Sequence, residues 1–170
     1  MTKPPPPKID LSLEELARAL PVHATLIGLD LGTVTVGLAL SDVRRRIASP
    51  LLTIARKKFS VDAGALLDQA TKHEAAALVL GLPLNMDGSE GPRAQATRAF
   101  ARNLRALTDL PIVYWDERLS TAAVTRTLIE GDASRKRRDQ VVDKVAAAYI
   151  LQGALDRLAN LAPSPPDTGS

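Results

Sequence analysis

Three carboxylates stand where carboxylates are expensive. Asp30 closes the apolar run Leu26-Ile27-Gly28-Leu29-Asp30-Leu31, and Glu117 follows Ile112-Val113-Tyr114-Trp115-Asp116. Asp143 shares a helical stripe with Ala147, Ile150 and Ala154 at offsets of 4, 7 and 11. A lone ionised carboxylate in such surroundings costs several kcal/mol or is driven neutral. Each acid also has an ordinary explanation. Asp30 could cap the Gly32-Thr33 turn, Glu117 could pair with Arg118 or Arg126, and Asp143 could favour the positive end of its own helix. Jointly they point elsewhere. If the fourth strand lies beside the first and the fifth follows it, the three acids converge, and a divalent metal is then required to hold them together. Cys is absent and His23 and His73 are the only histidines, so the donors must be oxygens. Such a set suits Mg²⁺ or Mn²⁺. Two cations about 3.5–4 Å apart activate a water and stabilise the departing oxygen of an in-line displacement. The chemistry expected of Asp30, Glu117 and Asp143 is phosphoryl-ester hydrolysis.

Two segments could present cations and amides to phosphates. Gly81-Leu82-Pro83-Leu84-Asn85-Met86-Asp87-Gly88-Ser89-Glu90-Gly91-Pro92-Arg93 joins a strand end to a helix start, with Ser89 or Glu90 as the expected cap and Pro92 in the first turn. It is long for a plain connection, and a helix start with Arg93 beside it attracts anions. Asn85 and Arg93 are its candidate contacts. Arg135-Lys136-Arg137-Arg138 lies between Gly131 and the last expected helix, just before Asp143. A charge run is usually a solvated face, but its position assigns Arg135, Lys136, Arg137 and Arg138 to phosphate contact. Arg118 joins them. Arg44-Arg45-Arg46 and Arg56-Lys57-Lys58 flank the third strand and are weaker candidates. Aromatics are 3%, which argues against a base-stacking platform, and Tyr114 and Trp115 read as core.

The elements that must position these residues follow from hydrophobic period and turn signals. Thr25 to Leu31, Val34 to Ser41 and Leu51 to Ala55 read as strands joined by turns too short for a crossover, hence an antiparallel meander. Residues 60–73 read as helix, Ala77 to Leu82 as strand and Glu90 to Leu107 as helix. Ile112 to Asp116 is a strand, Ser120 to Glu130 a helix and Asp139 to Asn160 the final helix. Strands alternating with helices predict parallel pairing with right-handed crossovers. The main order is β-β-β-α-β-α-β-α, an α/β chain with one mixed five-stranded sheet and helices on both faces. Before it, Ser12 and Glu15 form a capping box for a short helix that Pro21 stops. Residues 1–24 form a Pro-rich tail plus this helical appendage, 25–160 the single folded domain and 161–170 a disordered tail.

Composition bounds the function. The 170 residues suit one domain; 45% are hydrophobic and 24% charged, as in globular chains. The net charge of +3 and a pI near 9.4 favour an anionic partner. No apolar stretch is long enough to span a membrane, and no secretory h-region follows Met1, so a cytoplasmic location is expected.

Four blocks carry a family resemblance. Leu26-Ile27-Gly28-Leu29-Asp30-Leu31-Gly32, the distinctive Gly81-Leu82-Pro83-Leu84-Asn85-Met86-Asp87-Gly88, Asp116-Glu117-Arg118-Leu119-Ser120-Thr121 and Val142-Asp143-Lys144-Val145-Ala146-Ala147 resemble the YqgF/RuvX family over about residues 25–158. The resemblance implies an RNase H-like fold related to RuvC resolvases. It implies a nuclease maturing the 5′ end of pre-16S ribosomal RNA, with Holliday-junction resolution as the alternative. By position, Asp30, Glu117 and Asp143 are the family's acidic triad. One departure stands out: where the family usually has Lys-Arg after the Asp-x-Gly turn, this chain has Val34-Thr35.

The expectation is therefore a Mg²⁺- or Mn²⁺-dependent endonuclease acting on structured nucleic acid, either precursor rRNA or branched DNA. Resolving a four-way junction needs two active sites and hence a homodimer. A non-catalytic nucleic-acid-binding ribosome-assembly factor is the main rival. An actin-like phosphotransferase, suggested by Asp30-Leu31-Gly32-Thr33, needs two such domains where this chain supplies one.

Overall fold

The computed structural model describes residues 11–119 and 135–161, with the backbone alone for 135–143. The strands are β1 (Thr25–Leu31), β2 (Thr35–Ser41), β3 (Ala48–Ala55), β4 (Ala75–Leu82) and β5 (Ile112–Asp116). The helices are α1 (Leu13–Ala19), α2 (Phe59–Lys72), α3 (Pro92–Arg105) and α4 (Arg135–Leu161), and Glu117–Leu119 form one 3₁₀ turn. The expected helix from Ser120 to Glu130, residues 1–10 and residues 162–170 lie outside the described residues, and Leu161, placed in the tail by sequence, is the last residue of α4.

The sheet order is β3-β2-β1-β4-β5. β1, β2 and β3 pair antiparallel, as short turns require, whereas β1 with β4 and β4 with β5 pair parallel across helical crossovers. Helices cover both faces. α2 and α3 press Leu66, Phe100, Ala101 and Leu104 onto Ile27, Leu29, Leu78 and Leu80. On the other face, α4 lays Ala147, Ile150, Leu151 and Ala154 over Leu26, Val79, Val113 and Trp115. α1, capped by the Ser12 hydroxyl accepting from the Glu15 amide at 3.1 Å, adds Leu16 to that second core.

α4 lies unusually close to the sheet, and glycines permit it. A Cβ on Gly28 would sit 2.7 Å from Leu151 Cβ and 3.0 Å from the Ala147 carbonyl. A Cβ on Gly153 would meet the Trp115 ring at 2.6 Å. Removing those methyl positions lets the helix backbone settle onto the strands, which fixes the height of everything the helix carries. Among the described residues no helix is long and apolar enough to cross a membrane.

Several element boundaries differ from expectation, and three of the differences have a physical reason. β3 starts at Ala48 rather than Leu51 and includes Pro50, which an edge strand tolerates because one side of its backbone has no partner. α3 is capped by Gly91, because the Ser89 hydroxyl is engaged with Asp87 at 2.6 Å. α4 begins at Arg135, so the backbone of the four-cation run is the first turn of a helix rather than a loop before one.

Candidate active site

Sheet register decides which acids meet. β1 pairs with β4 through Gly28 with Val79 and Leu29 with Leu80, and β4 pairs with β5 through Gly81 with Trp115. One step further along β1, Asp30 stands level with Gly81. Gly28, Gly81 and Trp115 all face α4, against Leu151, Ile150 and Gly153 respectively. Side chains alternate along a strand, so Asp30, two residues beyond Gly28, faces α4 as well. Glu117, two beyond Trp115, does the same: its Cδ lies 3.3 Å from where a Gly81 Cβ would be. Both acids are buried, at 2% and 5% exposure.

β1 and β5 are not neighbours, since β4 lies between them. At about 4.8 Å per strand the two backbones are roughly 9–10 Å apart. Gly81 lies on the strand between them. A Cβ there would sit 2.4 Å from the Ile150 side chain and 3.3 Å from Glu117 Cδ, so the glycine lets α4 and Glu117 pack directly over β4. The carboxyl oxygens of Asp30 and Glu117 are donors of the kind a hard divalent cation takes.

Asp143 belongs to α4, four residues before Ala147, and its side chain lies outside the described part. α4 runs against β1: its later residues Leu155 and Leu158 border Arg44–Arg46 near the start of β1, so its earlier turns lie toward the strand's end. Four helical residues span about 6 Å and two strand residues about 6.6 Å. The α4 backbone at 143 is therefore level with Asp30. The offsets of 4, 7 and 11 do mark the buried stripe, for Ala147, Ile150 and Ala154 are each fully buried. Among the described residues no group of three metal-ligating side chains is complete.

The strand ends beside the acids form the rim. Arg93, in the first turn of α3, donates to the Leu31 carbonyl at 3.2 Å. Arg56, just past β3, donates to the Gly32 carbonyl at 2.8 Å. Two guanidinium groups thus hold consecutive carbonyls of the turn that follows Asp30. Asn85 is folded into its own loop: its amide donates to the Ser89 hydroxyl at 2.9 Å, its carbonyl accepts from the Gly88 amide, and Gly88 takes a φ of +88°. The Ser89 hydroxyl and amide hold the Asp87 carboxyl below the usual carboxylate range. Arg118 ties this loop to β5. It forks onto Asp116, with Nη2 to Oδ2 at 2.6 Å, and donates Nη1 to the Met86 carbonyl at 3.0 Å. That fork lowers the Asp116 pKa and raises that of Arg118. These bonds use three of the five guanidinium N–H groups and leave two. The side chains of Arg135, Lys136, Arg137 and Arg138 lie outside the described part.

The other arginine cluster does not reach the site. Arg45 donates to the Ala24 carbonyl at 2.9 Å, at the opposite end of β1. Trp115 is core as expected, whereas Tyr114 is half-buried beneath the Arg98 guanidinium, 4.8 Å from its ring centre.

Two contributors at the site escape a reading by residue type. Gly81 matters for an atom it lacks, and the only trace in the sequence is its place in the Gly-Leu-Pro-Leu-Asn-Met-Asp-Gly block. Thr35 reads as an ordinary strand residue, yet its hydroxyl is buried with no partner among the described residues.

The family model RuvX, described as Holliday junction resolvase, matches residues 24–157. The chain belongs to the RuvX family. It is 64% identical over 151 residues to a Methylocella silvestris protein named "Putative pre-16S rRNA nuclease", covering 89% of this chain and 94% of that one. A Beijerinckia indica protein of the same name is 65% identical over 149 residues, with 88% and 90% covered. Among solved structures, Thermus thermophilus RuvC in complex with a Holliday junction substrate superposes with a TM-score of 0.50 at 13% identity, covering 81% of this chain and 97% of that one. That likeness establishes a RuvC-like, RNase H-type fold for this RuvX-family chain.

Proposed function

We propose that this chain is a metal-dependent endonuclease that hydrolyses phosphodiester bonds in structured nucleic acid, and that its substrate is the 5′ region of pre-16S rRNA in the cytoplasm. The observation that carries this reading is the burial of Asp30 and Glu117 on one sheet face, on either side of Gly81, at the carboxyl ends of parallel strands. Ligands of open α/β sheets bind at those ends. The names of the relatives at 64–65% identity support the rRNA substrate.

Asp30, Glu117 and Asp143 would hold Mg²⁺ or Mn²⁺, as a pair of ions. When bound, the ions supply water activation and stabilisation of the departing oxygen. The rest of the work falls to the chain itself. α4 and the sheet fix Asp30 and Glu117 in a dry setting where electrostatic interactions are strengthened. Arg93 and the remaining Arg118 donors orient backbone phosphates, with Asn85 beside them in the loop. Arg135, Lys136, Arg137 and Arg138 supply long-range attraction to the polyanion.

The test is a cleavage panel with a precursor transcript spanning the 5′ end of 16S rRNA, single-stranded RNA and a four-way DNA junction. Each is incubated with Mg²⁺, Mn²⁺ or chelator, for wild type and Asp30→Asn. The precursor should be cut only with metal and only by wild type. Cleavage by Asp30→Asn at the wild-type rate would exclude this assignment. Junction resolution is the second reading, favoured by the description of the family model. It requires a homodimer and paired symmetrical nicks on the DNA junction.

A further inference from the structure

We propose that Arg44 and Arg46 form a second contact for the phosphodiester backbone of the substrate RNA, at the end of β1 opposite the acids. This inference rests on the nuclease reading of the Asp30–Glu117 site and adds how far the bound RNA must extend.

A cavity of about 330 Å³ lies between α1, the later turns of α4 and the β2–β3 turn, and Arg44, Arg45 and Arg46 all border it. In extended chain the middle of three consecutive side chains points away from the other two. Arg45 instead sits in the left-handed region at φ 56°, which residues with a side chain rarely adopt, and the three arginines share one space. Backbone bonds fix their turn. Asp42 accepts the Arg46 amide at 2.7 Å and the Ile47 amide at 3.0 Å, and Gln152 donates to the Arg46 carbonyl at 2.9 Å.

The three guanidinium groups are used differently. Arg45 is spent on the carbonyls of Ala24 and Val22. Arg44 and Arg46 are exposed, and neither side chain has a hydrogen bond or ion pair among the described residues. Asp156 is the one acid in the cavity lining, and it already accepts from Gln152 at 3.0 Å. Three cations against one carboxylate leave the cavity net positive, above an apolar floor that includes Leu155 and Leu158. Arginine stems lie on such a floor while their heads stay in water. Two unpaired planar forks on a fixed turn match phosphate oxygens.

Distance sets what the pair can hold. Arg45 reaches the Ala24 carbonyl, six residues before Asp30, or about 20 Å along the strand. At about 3.4 Å per base pair, that is roughly six base pairs of duplex. A shorter duplex touches the acids or the arginines, but not both.

The experiment measures fluorescence anisotropy of labelled RNA hairpins with stems of about four and about fourteen base pairs, on either side of that span. Binding is read in chelator across a salt series, with thermal melts in parallel. The Arg44→Gln, Arg46→Gln double variant should melt as wild type does, because neither guanidinium has a partner to lose. On the long stem it should bind about tenfold more weakly, with a salt slope reduced by about 1.4–1.8, two phosphates' worth. On the short stem it should bind as wild type does. Arg44→Lys, Arg46→Lys should keep the slope, and so should Arg102→Gln, which removes an exposed charge from α3. An unchanged slope on the long stem, an equal loss on both stems, or an equal loss in Arg102→Gln would overturn the proposal. So would polyglutamate binding that depends on Arg44 and Arg46 while RNA binding does not, which would assign the surface to an acidic protein. If Asp30→Asn is inactive while the double variant keeps the wild-type slope, this inference alone falls. If Asp30→Asn still cleaves, the nuclease reading falls first.

Discussion

The two ends of β1 are built from similar polar residues and treat them in opposite ways. At its start, Ser41, Asp42, Gln152 and Arg45 are spent on the fold. The Ser41 hydroxyl accepts from the Leu26 amide at 2.8 Å and donates to the Asp42 carbonyl. Asp42 takes the amides of Ile47 and Arg46, which hold its carboxyl below the ordinary range. Gln152 joins the Ala48 amide to the Arg46 carbonyl. Arg45, in the left-handed region at φ 56°, closes onto Ala24, and burial pushes its pKa down. At the far end of the same strand, the chain instead buries two acids on either side of Gly81, and the Thr35 hydroxyl has no partner among the described residues. At one end buried polar groups hold the hairpin together; at the other, acids are gathered at the carboxyl ends of parallel strands, where ligands of open α/β sheets bind.

The largest effect that can break this comparison is loss of chemistry at the acidic end. Asp30→Asn and Glu117→Gln should each lower cleavage on the order of a thousandfold, with melting temperatures at or above wild type. A matched pair of glycine substitutions sharpens it. Gly81→Ala drives a methyl against the Ile150 side chain and to 3.3 Å from Glu117 Cδ, and Gly153→Ala drives one into the Trp115 ring at 2.6 Å. Both should cost about 1–3 kcal/mol of stability. Only Gly81→Ala should also cut single-turnover cleavage, by about tenfold or more. At the other end of β1, Arg45→Ala should cost about 1–2 kcal/mol in denaturant titration and leave the cleavage rate unchanged.

The smallest effect is acid sensitivity. The pKa of Asp116 is depressed in the folded chain, chiefly by the Arg118 fork. Its stabilising contribution is therefore complete above the unfolded value near 3.9 and fades as pH falls through the lower folded value. Asp116→Asn should lower stability slightly at neutral pH and flatten the acid-unfolding curve below about pH 4. A curve identical to wild type there would show that the fork contributes nothing.

Much of this was readable from residues alone, and what was not has identifiable causes. The strand order follows from connection length: turns of a few residues allow only antiparallel neighbours, and helical crossovers bring β4 beside β1. Asp30 and Glu117 could be picked out because acids at the ends of apolar strands conflict with their surroundings. Ser89 resembles a cap for α3 by type, but its hydroxyl is taken by Asp87 and the helix starts after Gly91. A run of like charges reads as solvated loop, yet Arg and Lys are good helix formers and α4 starts at Arg135. The Arg44-Arg45-Arg46 run is visible by type, but which of its guanidinium groups are bonded requires coordinates. So does the missing hydrogen bond of Thr35.

Mn²⁺ titration of isotope-labelled protein without nucleic acid asks directly whether the Asp30 and Glu117 carboxyls on either side of Gly81 seat a divalent cation. Paramagnetic broadening should appear first at the amides of Asp30, Gly81 and Glu117, and should vanish in the Asp30→Asn, Glu117→Gln double variant. Broadening that instead begins around Asp42 and Asp156, or that persists unchanged in the double variant, would contradict it.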